Sequence, residues 1–283
     1  MIQSIVVAGA GTMGSGIALS AGGSGYAVTL FDTQMPALER ANRSLQQILD
    51  GQLQKQRITE AERQIIWERI CFTSDPAACR ADLVIEAIVE IAAAKVSLFE
   101  TLASVNGPDT IYASNTSSLS IDRLQENFVY PAQLAGLHFF NPAYLMKLVE
   151  VVNGTQTNPV VIDELKAFCL SLHKTPVVCK DSPGFIVNRV ARHFYLESLH
   201  LAEQGAASFQ DIDALMEASG FKMGPFKLMD LIGMDINLAV STSLYEAFHQ
   251  APRFKPSALQ QQKVAEGNLG RKTGKGFYDY GNA

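Results

Sequence analysis

Two ionisable residues interrupt apolar, strand-like runs 12 positions apart in the sequence. His138 breaks the run from Ala135 to Phe140, and Glu150 breaks the run from Leu148 to Val152. A carboxylate inside such a run is costly unless something pairs with it. A lone histidine there reads as a satisfied core residue, but a second ionisable group in the neighbouring run changes the reading. An imidazole held by a carboxylate has its tautomer fixed and its cation stabilised, which is how a general base is built. The pair therefore points to proton transfer.

The N-terminus supplies what such a base would act with. Ser4 to Ala8 reads as a short buried strand, followed by the turn Gly9, Ala10, Gly11, Thr12, Met13, Gly14 and a helix-like stretch from Ser15 to Ser20. A second apolar run, Tyr26 to Phe31, ends in Asp32, 18 residues past the last glycine of the turn. This GxGxxG, set between strand and helix with an acid at that distance, is the dinucleotide-binding pattern. Gly9 permits the tight turn, Gly11 lets backbone approach a pyrophosphate, and Gly14 packs helix on strand. The helix N-terminus then faces the anion. Asp32 accepts hydrogen bonds from the ribose hydroxyls of NAD and repels the extra phosphate of NADP. The uncharged stretch 1–31 also invites a membrane or signal reading, but its seven glycines break the run and no basic segment precedes it.

Composition agrees with a soluble globular protein of one large or two smaller domains: 283 residues, 47% hydrophobic and 18% charged. A net charge of −5, with basic residues scattered, argues against nucleic acid as a partner. No membrane association is expected. The four cysteines, Cys71, Cys79, Cys169 and Cys179, form no CxxC and no metal-ligand spacing. They read as small core residues in a reducing, cytoplasmic compartment, and no metal site is expected.

These residues need elements to position them. The first part of the chain alternates strands with helices. A helix runs from Met35 to about Gln56, and Thr59 with Glu62 forms a capping box for another. Strands follow at Ile70 to Thr73, Asp82 to Glu86 and Thr110 to Ser114, with a helix from about Ala92 to Ser104. Alternation of this kind predicts an α/β, Rossmann-type doubly wound, mostly parallel sheet, with ligands at the carboxyl ends of the strands. Asp32, Glu86, Ser114 and Asn115 fall at such ends. Ser117 and Ser118 follow there, with more hydrogen-bonding side chains than one helix cap needs. After Thr175 to Cys179 the pattern becomes helix upon helix: about 184–204, 208–219, 225–249 with a break near Gly233, and 257–266. The expected domains are 1–182 and an all-α 183–283. Leu196, Leu199, Leu201, Leu228, Leu231, Ile232, Leu238 and Val240 are more apolar surface than so few helices bury alone, so burial against the first domain or a second subunit is expected. Asn188, near the start of this part, sits among Phe185, Ile186 and Val187, and its amide should have a partner.

Taken together, GAGTMGSGIA, DLVIEAIVE, SNTSSLSI, GLHFFNP, MKLVEVV, KDSPGFIVNR, MGPFKLMDLIG and GRKTGKGFYDY make the chain resemble the short-chain L-3-hydroxyacyl-CoA dehydrogenases, including bacterial 3-hydroxybutyryl-CoA dehydrogenases. The resemblance covers essentially the whole chain. It implies NAD-dependent oxidation of (3S)-3-hydroxyacyl-CoA to 3-ketoacyl-CoA, and the reverse. His138 is then the general base and Glu150 orients it, while Ser117 and Asn188 hydrogen-bond near the reacting oxygens. The resemblance also implies that Glu90, Lys95 and Asn141 contact the nicotinamide half of NAD and that Lys272 reaches it from the C-terminal tail. Lys55 resembles a CoA-contacting lysine, whereas Ile48 stands where the family has serine or asparagine. A homodimer through the helical domain is implied as well. Family members act on acetoacetyl-CoA, longer 3-ketoacyl-CoA or 3-hydroxyadipyl-CoA. Lys222 is an unusual charge where the family more often has proline, and it reads as a solvated lysine before it reads as a partner for a distal carboxylate. Two rivals remain. A dehydrogenase using a lysine base early in the helical domain finds Asn188 and Arg189 in that region. A non-catalytic relative would leave His138, Glu150, Ser117 and Asn188 without purpose.

Overall fold

The computed structural model describes residues 2–281. The chain divides into two compact units after Ser182. In the first unit the elements run β1 (Ser4–Ala8), α1 (Thr12–Gly23), β2 (Ala27–Phe31), α2 (Met35–Gln54), α3 (Glu60–Glu68), β3 (Ile70–Thr73), β4 (Leu83–Glu86), α4 (Ala92–Ala103) and β5 (Ile111–Ser114). They continue with α5 (Ile121–Gln125), β6 (Leu134–Phe139), β7 (Leu148–Asn153), α6 (Pro159–Ser171) and β8 (Thr175–Lys180).

The strands form one eight-stranded sheet in the order β3-β2-β1-β4-β5-β6-β7-β8. Every neighbouring pair is parallel except β6 and β7. β4, β5 and β6 are buried at every position, as strands covered on both faces must be, which is why they read as apolar runs in which Glu86, Ser114 and His138 stand out. The single antiparallel pair follows from chain length. Phe139 ends β6 and Leu148 begins β7, and the eight residues between are too few for a crossover, which takes a dozen or more. β7 therefore turns back. The 13-residue α6 then carries the chain over so that β8 runs parallel to β7. The sequence reading named no helix here, although Asn158 caps α6 by accepting from the Val160 N–H and Pro159 occupies its first turn. The capping box of α3 is present: Glu62 N–H donates to Thr59 Oγ1 at 3.2 Å, and Thr59 N–H to Glu62 Oε2 at 2.7 Å.

The second unit is all-helical: α7 (Val187–Glu203), α8 (Phe209–Ala218), α9 (Pro225–Ile232), α10 (Met234–Ala247) and α11 (Ala258–Ala265). α7 starts later than the expected 184, because Gly184 (φ 73°) and Phe185 (φ 47°) both take left-handed backbone. The expected break near Gly233 is a true separation of α9 from α10, at φ 103°. Two buried carboxylates organise this unit. Asp213 accepts from the Phe226 and Lys227 N–H groups at the start of α9 and from the Tyr278 hydroxyl. Asp230 accepts from the Phe277 and Tyr278 N–H groups and the Tyr280 hydroxyl, tying the C-terminal segment to α9. Gly276 has to be glycine for this, since a Cβ there would stand 2.0 Å from Asp230 Oδ1. Of the apolar residues expected to be covered, Leu196 and Leu199 are buried, while Leu201, Leu231 and Ile232 are exposed.

Candidate active site

His138 and Glu150 sit directly opposite each other across the antiparallel β6–β7 pair. Residues facing across such a pair point to the same side with their Cβ atoms about 5 Å apart, within reach of an ion pair. His138 Nδ1 lies 2.7 Å from Glu150 Oε2, and both residues are buried. A carboxylate on Nδ1 fixes the proton there and makes Nε2 the basic nitrogen. The Phe140 ring packs on the imidazole, 4.5 Å between centroids.

A second constellation forms at the carboxyl ends of β4 and β5. Glu86 is fully buried, accepting from the Ser114 hydroxyl at 2.6 Å and from Lys95 Nζ at 2.5 Å. Lys95, only 1% exposed, also lies 3.1 Å from Glu90 Oε2. The other Glu90 oxygen accepts from the Ser117 and Ser118 N–H groups and from the Thr116 and Ser118 hydroxyls. Burial pushes the Glu90 carboxyl up, but the Lys95 ammonium and the two hydroxyls outweigh it and hold the group below the usual carboxylate range. Glu90 thus shapes the turn that carries Ser117. Asn115 Oδ1 accepts from the Phe139 N–H at 2.8 Å, linking this edge to the strand of His138.

The glycine turn opens on a groove of about 1040 Å³ lined by Gly9, Gly11, Thr12, Met13, Asp32 and Asn141 among others. Gly9 adopts φ 111°, and a Cβ there would lie 2.5 Å from the Ala87 carbonyl. No atom stands within 4 Å of where a Gly11 Cβ would be, so backbone is open to a ligand at that point. Gly14 lies beneath, where a Cβ would meet the Gly9 carbonyl at 1.8 Å. Asp32 accepts from the Ala10 N–H at 2.8 Å and the Gln34 N–H at 2.9 Å, one on each oxygen. A carboxylate has lone pairs beyond these two for ribose hydroxyls. The far wall is the loop between β6 and β7, through Asn141, Pro142, Ala143 and Tyr144.

Lys174, which the sequence reading passed over, holds that loop from behind. It is 6% exposed, and its ammonium donates to the Ala143 carbonyl at 2.7 Å and the Met146 carbonyl at 2.8 Å. Burial lowers its pKa. The one sequence signal was a lysine placed just before an edge strand, where nothing marks it as buried.

The other expected site residues fall as follows. Lys55 is exposed just beyond α2, and Ile48 lines the groove. In the helical unit, Asn188 is half-buried in the first turn of α7, and Lys272 pairs with both Asp235 oxygens at 2.6 Å. Among the described residues no cluster of metal ligands occurs, and no helix is long and apolar enough to cross a membrane.

Family comparison matches residues 4–182 to the NAD binding domain of 3-hydroxyacyl-CoA dehydrogenase and residues 184–280 to its C-terminal domain. The chain belongs to the 3-hydroxyacyl-CoA dehydrogenase family. It is 44% identical to 3-hydroxyadipyl-CoA dehydrogenase of Escherichia coli strain K12, across 99% of this chain and 59% of that one, so it spans well under two thirds of that relative's length. It is 39% identical to the mitochondrial hydroxyacyl-coenzyme A dehydrogenase of Rattus norvegicus, across 99% of this chain and 92% of that one. Among solved structures, (S)-3-hydroxybutyryl-CoA dehydrogenase from Ralstonia eutropha matches with a TM-score of 0.95 at 36% identity, covering 100% of both chains. In this 3-hydroxyacyl-CoA dehydrogenase fold the groove fits the NAD that the family's N-terminal domain binds. The open approach at Gly11 and the Asp32 carboxylate are the features that suit a pyrophosphate and an unphosphorylated ribose.

Proposed function

We propose that this protein interconverts (3S)-3-hydroxyacyl-CoA and 3-ketoacyl-CoA with NAD, acting on a short acyl chain such as 3-hydroxybutyryl-CoA. The buried His138–Glu150 pair carries this reading, since oxidation of a secondary alcohol needs a base for the hydroxyl proton. His138 Nε2 takes the proton from the C3 hydroxyl, and Glu150 stabilises the imidazolium that results. NAD, when bound, accepts the hydride that leaves C3. Ser117 and Asn188 donate hydrogen bonds to the substrate oxygens, and Lys55 meets the CoA moiety. Gly9, Gly11, Thr12, Met13, Gly14 and Asp32 hold the dinucleotide. Asn141, Glu90, Lys95 and Lys272 serve its nicotinamide half, Lys95 by keeping Glu90 charged and in place. The name of the E. coli relative raises a second substrate reading, an acyl chain ending in a carboxylate.

The helical unit is the proposed homodimer face. Its exposed Val190, Leu215 and Phe221, and an apolar hollow of about 570 Å³ lined by Phe194, Leu201, Leu215 and Met216, support this. All four cysteines are free thiols, which suits a reducing cytoplasmic compartment. The test is NADH consumption on adding acetoacetyl-CoA to the purified protein. Turnover should be brisk with NADH and much slower with NADPH. No turnover with either cofactor refutes the reading, and equal turnover with both refutes the role of Asp32.

A further inference from the structure

One buried carboxylate takes no part in the chemistry above. Glu86 ends β4 with no exposed surface and forms an ion pair with Lys95 at 2.5 Å. The same ammonium lies 3.1 Å from Glu90 Oε2. Two carboxylates therefore share one ammonium, and the cluster carries one negative charge in excess. Its other partners are neutral. Glu86 accepts from the Ser114 hydroxyl and the Ile88 N–H, and Glu90 from the Thr116 and Ser118 hydroxyls and the Ser117 and Ser118 N–H groups.

The sheet order decides what this charge faces. Along β2-β1-β4-β5-β6 the carboxyl ends carry in turn Asp32, the glycine turn, Glu86, Ser114 and His138. A dinucleotide with its adenosine ribose on Asp32 and its pyrophosphate on the glycine turn reaches β4 and β5 with its nicotinamide half. The groove agrees, since Ala87, Ile88 and Val89 line it beyond the glycine turn. Ile88 donates its N–H to Glu86 at 2.7 Å, so the carboxylate lies directly behind that wall. His138 stands two strands from β4, about 10 Å at the usual spacing, which leaves room for a substrate carbon between ring and base. Arg40, the one basic residue among those lining the groove, comes from α2, the helix that follows Asp32.

The nicotinamide ring is a cation in NAD⁺ and is neutral once it holds the hydride. A fixed negative charge behind a dry wall stabilises the first form and not the second, and charge placed near the ring is one of the ways a protein tunes a cofactor. We propose that Glu86 tunes the bound cofactor: its charge, left in excess behind the nicotinamide end of the groove, favours NAD⁺ and makes bound NADH the stronger hydride donor toward a 3-ketoacyl group. This rests on the reading that puts the nicotinamide half at Glu90 and Asn141.

The test is direct titration of NAD⁺ and of NADH, without substrate, on wild type and Glu86→Gln. The amide fits the site. Its oxygen can keep the Ile88 N–H and the Lys95 ammonium, which both go to Glu86 Oε1, while its nitrogen donates to the Ser114 hydroxyl. The ratio Kd(NAD⁺)/Kd(NADH) should rise at least about fivefold, a conservative figure for one charge on the order of 10 Å away at an effective dielectric constant of about 20. Glu86→Asp keeps the charge and should keep the wild-type ratio. So should Ser114→Ala, which removes a bond to Glu86 but no charge. A merely structural role would weaken both forms together and leave the ratio alone. If Glu86→Gln does not fold, Glu90→Gln removes the same excess charge and should move the ratio in the same direction. A ratio unchanged in whichever of these two variants folds overturns the proposal, and so does an equal rise in Ser114→Ala. Asn141→Ala changes contacts at the ring without changing charge and should weaken both forms alike. If it weakens neither, the placement of the nicotinamide end is what fails, and binding of neither form to wild type refutes the cofactor reading itself.

Discussion

At the scale of single residues, the pairing of His138 with Glu150 makes a specific demand on mutants. Replacing His138 with Gln keeps hydrogen-bonding capacity at similar size but removes the base. The kcat should fall by about 10²–10⁴, the span expected for a positioned general base, with little change in NADH affinity. Glu150→Gln should also lower kcat, because a neutral amide on Nδ1 no longer stabilises the imidazolium. Steady-state kinetics with direct NADH titration separates the two effects, and near-normal turnover in His138→Gln removes the central assignment. Glu90 carries a stability signature of its own. Its folded pKa is depressed, so its contribution is present above the unfolded carboxyl value of about 4.3 and is lost as pH falls through the folded value. The Tm difference between wild type and Glu90→Gln should therefore be largest near neutrality and shrink below about pH 4. A difference that does not change with pH contradicts the ion-pair account of this residue.

At the scale of elements, the β6–β7 connection does two jobs. Its shortness forces the antiparallel return that sets Glu150 opposite His138, and its residues form a wall of the cofactor groove. Lys174 fixes that wall through two carbonyls, and α1 packs close on the other side, where a Cβ on Gly16 would come 3.2 Å from that of Ala143. Lys174→Met keeps the length of the side chain and removes the donors. The loop should loosen while the two strands behind it keep their register. The expected outcome is a rise of about tenfold in KM for NADH with a much smaller change in kcat, the pattern of lost uniform binding. Equal losses in both parameters would mean that Lys174 supports the whole unit and not the cofactor wall.

For the whole molecule, the exposed apolar residues of the helical unit are the feature that calls for a partner. Leu215 is 65% exposed and Val190 66%, and Leu215 lines the apolar hollow together with Phe194, Leu201 and Met216. Sedimentation at low micromolar concentration should show a dimer. Leu215→Asp should shift it toward monomer, because a charge placed in an apolar interface must be desolvated without a partner. A monomeric, fully active wild-type protein would refute the assembly.

Much of this was legible in the chain itself. The glycine turn, Asp32 and the strand–helix alternation follow from local rules of backbone conformation and apolar periodicity, which act over a few residues. For that reason the first strands and the break at Gly233 fall where the sequence placed them. The types of His138 and Glu150 announced a buried pair, but only the register of two strands running in opposite directions put one atom 2.7 Å from the other. Lys174 was invisible for a related reason. A lysine before an edge strand reads locally as a solvated residue. Its burial is decided by which carbonyls pack around it, and that is a property of the tertiary fold alone.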